Sequence, residues 1–141
     1  MTAPGEMEVL LVEDDPNDVE LALRALKQHH LANRIVVARD GVEALEILFS
    51  EELGTLPKVV VLDLNLPKVG GLEVLRRVKG DERTKRVPVV VLTSSREEPD
   101  VAESYRLGVN SYIVKPIDFE SFSRAVADVG LYWLLLNDPP T

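Results

Sequence analysis

Short apolar runs alternate along the chain with segments in which apolar residues recur every three or four positions. The runs at residues 59–62 and 88–92 are continuously apolar, which is typical of parallel strands that helices cover on both faces. The segments between the runs have the spacing of amphipathic helices. The pattern therefore predicts an α/β fold, a doubly wound sheet of five parallel strands with five helices.

The alternation also sets the bounds of each element. Strands are predicted at residues 7–12, 34–38, 58–63, 87–93 and 111–114. Helices are predicted within residues 14–30 and at 41–49, 70–79, 99–108 and 119–136. At 141 residues the chain has the size of one domain. We expect that domain to span residues 7–136, between a flexible N-terminus at 1–6 and a flexible tail at 137–141.

The first helix has clear signals for its start and for its buried face. Asp15 can cap the helix, Pro16 suits its first position, and Asp18 favours the positive end of the helix dipole. The apolar residues that then fall on one face are Val19, Ala22, Leu23 and Leu26. The basic side chains of the third helix, among them Lys79, are expected on a solvated face.

Charge and composition exclude several classes of function. The formal net charge is −8, whereas non-specific nucleic-acid binding requires a basic surface. The chain has no cysteine, which excludes disulfides and thiolate metal sites. No apolar run approaches the roughly 18 residues of a membrane span, and the N-terminus lacks a signal-peptide pattern. We therefore expect a soluble cytoplasmic protein that binds neither nucleic acid directly nor a membrane.

Polar side chains follow four of the predicted strands, at the ends where a doubly wound sheet binds its ligands. They are Glu13, Asp14 and Asp15 after the first strand, Asp63 and Asn65 after the third, Thr93 and Ser94 after the fourth, and Lys115 after the fifth. Parallel strands bring these groups to one rim. Asp63 is therefore expected at the mouth of its strand rather than in the core.

Carboxylates that converge on one rim repel one another and raise each other's pKa unless a positive charge intervenes. A divalent cation with oxygen ligands supplies such a charge, and Mg²⁺ typically binds one or two carboxylates and keeps several waters. Lys115 would add a second positive group. Metal and lysine together suit phosphoryl transfer, in which they stabilise charge on the transferring oxygens. Asp63, as the most recessed carboxylate, is the predicted nucleophile.

Four motifs on successive strand ends, "VEDD", "LDLNLP", "VLTS" and "YIVKP", resemble the receiver domain of two-component response regulators. The resemblance covers about residues 7–130 and implies the flavodoxin-like receiver fold. It implies that Asp63 is the phosphoacceptor, which receives a phosphoryl group from a histidine kinase. It also implies a Mg²⁺ cofactor that Asp14 binds directly, Glu13 through water and Asn65 through its backbone carbonyl, with Asp63 as a further ligand.

The remaining roles follow from the same resemblance. Thr93 would hydrogen-bond the phosphoryl group, and Lys115 would pair with it. Tyr112 would be the aromatic switch that turns inward when Thr93 moves. The peptide bond between Lys115 and Pro116 is expected to be cis.

The chain departs from many receivers after the third strand, where Gly70 and Gly71 replace an Asp-Gly pair. Gly70 can still occupy the N-cap of the next helix, so we expect a modest loss of stability and no loss of function.

The last predicted helix indicates a partner surface. From residue 131 it is apolar nearly all round, and a monomer cannot cover every side of it. Exposed patches of this kind mark interaction surfaces, and closed two-fold dimers are the commonest assembly. In receivers the face made by the fourth helix, the fifth strand and the fifth helix often serves this purpose. We therefore expect a homodimer through that face, including Trp133, Leu134 and Leu135.

The end of the chain also bears on its partners. Nothing after residue 136 could fold separately, so a stand-alone regulator is expected. The stretches "GLYWLLLNDPP" and "LDLNLPKVGGLEVL" resemble the small regulators paired with bacterial phytochrome kinases. That narrower resemblance implies a phytochrome-type histidine kinase as the cognate kinase.

Two other classes of function compete with this interpretation. A Mg²⁺-dependent phosphatase or phosphotransferase with an aspartyl-phosphate intermediate tends to have a second carboxylate two residues after the nucleophile, where this chain has Asn65. A nucleotide-binding flavodoxin-like protein needs a glycine-rich phosphate loop after the first strand, where this chain has "EDDPND". The favoured hypothesis is a protein that catalyses its own phosphorylation and slow dephosphorylation and turns over no external metabolite.

Overall fold

The computed structural model describes residues 8–28, 34–50, 56–94, 98–115, 120–122 and 124–125. Its strands are β1 (Val9–Val12), β2 (Ile35–Ala38), β3 (Val59–Leu62), β4 (Val89–Thr93) and β5 (Ser111–Val114). Its helices are α1 (Pro16–Gln28), α2 (Gly41–Leu48), α3 (Gly71–Gly80) and α4 (Glu98–Arg106). Residues 120–122 and 124–125 are helical as well. Strands and helices therefore alternate in the predicted order.

The five strands form one parallel sheet in the order β2-β1-β3-β4-β5. In the centre of the sheet Leu10 of β1 is aligned with Val36 of β2 on one side and with Val60 of β3 on the other. The chain proceeds from β1 to one side of the sheet and then returns to the other side through β3. The ends of β1 and β3 therefore lie at the topological switch point, where ligands of such sheets bind.

Each face of the sheet carries its own hydrophobic core, because successive side chains of a strand point to opposite faces. Leu10 and Val12 pack on the face that α2 and α3 cover, whereas Val9 and Leu11 pack on the face that α1 covers. Phe122 lies in the second core and is fully buried. The strands β1, β3 and β4 are buried along their whole length, as their continuous apolar runs predict.

The start of α1 is as the sequence predicts. The backbone N–H groups of Asn17 and Asp18 donate to Asp15 Oδ1 at 2.8 and 3.4 Å, so Asp15 is the cap and Pro16 the first helical residue. The predicted stripe faces the core, with Val19, Ala22 and Leu26 buried and Leu23 partly buried.

The end of α4 differs from its predicted position at Gly108. The helix ends at Arg106, and Gly108 follows with a φ of 98°, in the left-handed region that glycine adopts readily. Its N–H donates to the Tyr105 carbonyl at 3.0 Å. The glycine therefore terminates the turn after the helix rather than being its last residue.

Lys79 contradicts the prediction of a solvated face. Its ammonium donates to the carbonyl oxygens of Val87 at 2.7 Å and Lys85 at 3.2 Å, in the segment that leads into β4. Burial lowers the pKa of Lys79. The long aliphatic stem packs along the protein while its charged end reaches these two carbonyl groups.

Two hydroxyl groups are fully buried in helical or turn segments with different surroundings. Thr84 Oγ1 donates to the Val78 carbonyl of α3 at 2.6 Å. Ser104 Oγ, in α4, has no hydrogen-bond partner among the residues that the structure describes. The second group therefore carries an uncompensated desolvation cost.

Several predicted features lie outside the described residues. They are the two termini at 1–6 and 137–141, Pro116, and most of the fifth helix with Trp133, Leu134 and Leu135. Among the helices that can be described, none is long and apolar enough to span a bilayer.

Candidate functional site

Backbone hydrogen bonds between neighbouring strands bring the predicted site residues to one edge of the sheet. The N–H of Asp63 donates to the carbonyl of Val12, the last residue of β1, at 3.0 Å. The N–H of Lys115 donates to the carbonyl of Thr93, the last residue of β4, at 2.7 Å. The parallel register thus fixes both side chains at the carboxyl ends of their strands.

Lys115 lies at the centre of the site. Its Nζ is 2.8 Å from Glu13 Oε1, 2.8 Å from Asp18 Oδ2 and 2.9 Å from Asp63 Oδ2. Burial alone would lower the pKa of Lys115, but the ion pairs with Asp18, Glu13 and Asp63 raise it well above its ordinary value. The lysine is therefore a fixed positive charge among three carboxylates.

A second feature of the rim is a cluster of carboxylates. Ligand atoms of Glu13, Asp14 and Asp63 all lie within 4.8 Å of one another. Glu13 and Asp63 are buried, whereas Asp14 is exposed. Carboxylate oxygens this close together are the hard ligands that Mg²⁺ and Ca²⁺ bind, with waters completing the coordination shell.

The hydrogen bonding and the pKa of Glu13 indicate whether a cation fits this cluster. Glu13 Oε1 is buried and, among the described residues, accepts no hydrogen bond of standard geometry, although it lies beside the Lys115 ammonium. Burial raises the pKa of Glu13 to about 7, against the opposing effects of Lys115 and the Asp15 N–H. The lysine alone therefore does not compensate the charge of the cluster, and a divalent cation fits it.

Asp63 is more enclosed than the sequence suggests. It follows β3, as predicted for a strand mouth, but only 3% of its surface is exposed. Its Oδ1 accepts the Asn65 N–H at 2.9 Å, and its Oδ2 accepts from Lys115 at 2.9 Å. Neighbouring polar groups thus cover the carboxylate and hold both of its oxygens in place.

Asn65 has a side-chain contact that the sequence does not suggest. Its amide Nδ2 donates to Thr93 Oγ1 at 3.1 Å and to Ser94 Oγ at 3.0 Å. The amide therefore joins the end of β3 to the end of β4. The sequence predicts a backbone carbonyl ligand at Asn65 and no second carboxylate there, but residue type alone does not show which strand end the amide reaches.

Tyr112 lies on the same face of the sheet as Thr93. It is aligned with Val91 of β4, and Thr93, two residues later, points to the same side as Val91. Its ring packs near that of Tyr105 in α4, with the centroids 6.4 Å apart, and Tyr105 is 53% exposed. The aromatic pair connects the sheet beside Thr93 to the surface of α4.

The two glycines at the start of α3 differ in the space that a side chain would have. A Cβ on Gly71 would collide with the carbonyl oxygen of Asp63 and the Cα of Leu64, so the helix can start this close to the strand end only with glycine. Gly70 is the N-cap, as predicted, with extended backbone and open space around its Cα. The loss of a capping side chain at Gly70 therefore has no steric cause.

Asp18 is a site residue, although its sequence position indicates only a favourable interaction with the helix dipole. It joins Glu13 and Asp63 around Lys115, although it lies in α1. The sequence position of Asp18 gives a signal for this role, because the first turn of the helix that follows β1 lies beside the strand ends.

Residues 9–127, which contain all the groups described above, match the sequence model of the response regulator receiver domain. The chain belongs to the response regulator receiver family. The predicted family and the predicted receiver fold are confirmed. Because response regulators act with histidine kinases, the family also implies a histidine kinase partner.

The chain is similar over most of its length to other regulators. It is 44% identical over 134 residues to the probable methanogenesis regulatory protein FilR2 of Methanothrix harundinacea, covering 94% of this receiver and 86% of that protein. It is 39% identical over 129 residues to response regulator Rcp1 of a Synechocystis species, covering 89% of this receiver and 88% of Rcp1.

Solved structures of other response regulators have the same fold, and one of them contains a divalent cation. The bacteriophytochrome response regulator AtBRR is 53% identical and superposes with a TM-score of 0.74, covering 94% of this receiver and 99% of that chain. The Mn²⁺-bound form of Rcp1 is 35% identical with a TM-score of 0.74, covering 96% and 99%. The acidic cluster of this receiver is compatible with a divalent cation of that kind.

Proposed function

We propose that this response regulator accepts a phosphoryl group on Asp63 from a histidine kinase, in a Mg²⁺-dependent reaction, and signals through a surface that phosphorylation changes. The observation that carries the proposal is the setting of Asp63. It is recessed at the switch point of the sheet, with both oxygens held and with Lys115 and the acidic cluster beside it.

The reaction is a direct displacement at phosphorus. A carboxylate oxygen of Asp63 forms the new P–O bond while the bond from phosphorus to the donor, a histidine nitrogen of the kinase, breaks. The residues proposed to hold Mg²⁺ are Glu13, Asp14, Asp63 and the backbone carbonyl of Asn65. When bound, the metal neutralises charge on the transferring oxygens. The buried setting of Asp63 limits the access of water, which would hydrolyse the product.

Lys115 and Thr93 are proposed to act on the phosphoryl group after transfer. The Lys115 ammonium already donates to Asp63 Oδ2, so a small shift brings one of its protons to a phosphoryl oxygen. Thr93 would exchange its contact with the Asn65 amide for a hydrogen bond to the phosphoryl group. Its movement would change the packing on the sheet face that it shares with Tyr112, the proposed switch.

The signalling surface is proposed to be the face of α4, β5 and the fifth helix, through which the protein forms a homodimer. The exposed ring of Tyr105 beside Tyr112 supports this, as does the apolar segment with Trp133, Leu134 and Leu135. The similarity to AtBRR, a bacteriophytochrome response regulator, supports a phytochrome-type kinase as the cognate partner. We also propose a single receiver domain at residues 7–136, acting in the cytoplasm.

A phosphatase that turns over external substrates has less support. Its second carboxylate would be at position 65, where Asn65 instead uses its amide to contact Thr93 and Ser94. An amide in this role cannot exchange protons with a leaving group. We therefore propose that the protein turns over no external substrate.

The test is phosphate-affinity gel electrophoresis after incubation with acetyl phosphate, with and without Mg²⁺. Wild type should give a shifted band that requires Mg²⁺, and Asp63→Asn should give none. Asp81→Asn, in the turn after α3, is the control and should behave as wild type. An unshifted wild type with hydrolysis of small phosphoesters would favour the phosphatase. An unshifted wild type without hydrolysis would leave a constitutive binding module.

A further inference from the structure

Lys115 has a partner that phosphoryl transfer does not itself require. Asp18 Oδ2 lies 2.8 Å from the ammonium, yet Asp18 is not among the three carboxylates that converge as a cation site. We propose that Asp18 is a positioning residue, which holds Lys115 so that one of its N–H groups stays directed at Asp63. This inference rests on the proposed phosphorylation of Asp63.

The number of hydrogen-bond donors supports this assignment. A lysine ammonium has three N–H donors and no acceptor. Its Nζ lies 2.8 to 2.9 Å from oxygens of Glu13, Asp18 and Asp63, which are as many carboxylates as the ammonium has donors, and the contact with Asp63 has hydrogen-bond geometry. Two of the three contacts come from residues at the end of β1 and the start of α1. They fix the ammonium from one side, and the third donor faces the reacting carboxylate.

Asp18 is itself held rigidly. The first turn of α1 is closed by Asp15, whose Oδ1 accepts from Asn17 and Asp18 and whose carbonyl accepts from Val19 at 3.0 Å. The Asp15 N–H in turn donates to Glu13 Oε2 at 3.1 Å. The buried side chain of Val19 anchors the turn to the core. A rigid carboxylate on a helix can fix a lysine whose four-carbon stem is otherwise flexible.

Two effects of removing Asp18 oppose each other. Loss of a negative charge reduces repulsion of an anionic phosphoryl donor, which favours the reaction. Loss of an anchor lets the ammonium turn away from Asp63, which disfavours it. The first effect is weak, because the charge of Asp18 is already paired with Lys115 and the carboxylate is partly open to solvent. The second acts at 2.9 Å from the reacting group, so it dominates.

The experiment measures the phosphorylation rate at saturating acetyl phosphate as a function of Mg²⁺. Asp18→Ala should lower the maximal rate by about tenfold, with the half-saturating Mg²⁺ concentration changed less than about twofold. Asp18→Asn keeps an acceptor oxygen and should restore most of the rate. Glu43→Ala is the matched control. Glu43 is also the third residue of its helix, with its N–H on the capping Asp40, but α2 packs on the other face.

A double-mutant cycle separates positioning from a merely structural role. In a Lys115→Met background, Asp18→Ala should change the rate less than twofold, because its effect passes through the lysine. A second measurement does not depend on the reaction. In ¹H–¹⁵N spectra selective for lysine ammonium groups, wild type should show a slowly exchanging Lys115 signal, which Asp18→Ala should lose and Asp18→Asn should keep.

Each failure has a distinct meaning. A wild type without Mg²⁺-dependent phosphorylation overturns the proposed function, and the inference with it. An active wild type overturns the inference alone if Asp18→Ala matches it in rate, or if the effect of Asp18→Ala persists without Lys115. If Asp18→Ala does not fold, Asp18→Asn decides the question. Asparagine keeps the acceptor oxygen, so a loss of rate as large as that expected for Asp18→Ala would overturn the inference.

Discussion

Ser104 and Thr84 allow a sharp test of how buried hydroxyl groups affect this fold. Both are fully buried, but Thr84 donates to the Val78 carbonyl and Ser104 has no partner among the described residues. Ser104→Ala should therefore stabilise the protein, whereas Thr84→Val should destabilise it. The two substitutions remove the same kind of atom, so their opposite signs would isolate the contribution of the hydrogen bond.

The magnitude for Ser104→Ala follows from three terms. An unpaired buried hydroxyl costs roughly 1–3 kcal/mol, which the substitution recovers. Alanine in place of serine also adds about half a kcal/mol of helix propensity in α4. The vacated volume is below the roughly 30 Å³ of a water molecule, so the cavity costs less than about 0.7 kcal/mol. The expected net effect is a stabilisation of about 1–3 kcal/mol.

Urea unfolding followed by circular dichroism would measure both variants. In thermal unfolding of a chain of this size, a stabilisation of about 1–3 kcal/mol corresponds to an increase in Tm of roughly 3–12 °C. Thr84→Val should lose about 1–3 kcal/mol, because it leaves the Val78 carbonyl unpaired in the interior. A Ser104→Ala variant that is less stable than wild type, with an unchanged denaturant slope, would refute the reasoning, since it would show that the Ser104 hydroxyl has a partner in solution.

Further predictions concern the start of α3 and the acidic cluster. Gly70→Ser should stabilise the protein by about 0.5–1 kcal/mol in thermal unfolding, because it adds a helix cap and makes the unfolded chain less flexible. Gly71→Ala should destabilise it by more than about 2 kcal/mol, because the new Cβ collides with the Asp63 backbone. Equal effects of the two substitutions would contradict the steric difference between these positions. The raised pKa of Glu13 means that the folded protein holds this proton more tightly than the unfolded chain. In the presence of a chelator, stability should thus fall by about 1–2 kcal/mol between pH 4.5 and about 7, and urea titrations of Glu13→Gln should lack that fall. If the stabilities of wild type and Glu13→Gln depend on pH in parallel, the fall in stability must come from other groups.

The features that could be predicted from the sequence depend on local rules. Asp15 caps α1 because the residues after it start a helix, and the run 59–62 forms a buried strand because helices cover both sides. The convergence of Asp63 and Lys115 follows from parallel strands ending at one edge. Each of these requires only the order and type of the elements.

The features that were missed depend on which side chain meets which neighbour. Asp15 and Asp18 are the same residue type in the same turn, yet one binds backbone N–H groups and the other binds a lysine at the end of β5. The sequence predicts a solvated face for Lys79 because nothing in it shows that the ammonium reaches the carbonyls of Val87 and Lys85. Such contacts are settled by tertiary packing, which periodicity does not encode.

The ammonium at the centre of the acidic site has a consequence for the life of the protein in a cell. A structural zinc site folds only around its metal, because nothing else neutralises its ligands. Here Lys115 offsets part of the negative charge of Glu13, Asp18 and Asp63 without a metal. The fold should therefore form without a cation, although a bound cation would stabilise it further. When divalent cations are scarce, we expect the cell to retain folded regulator while the proposed phosphorylation becomes slower.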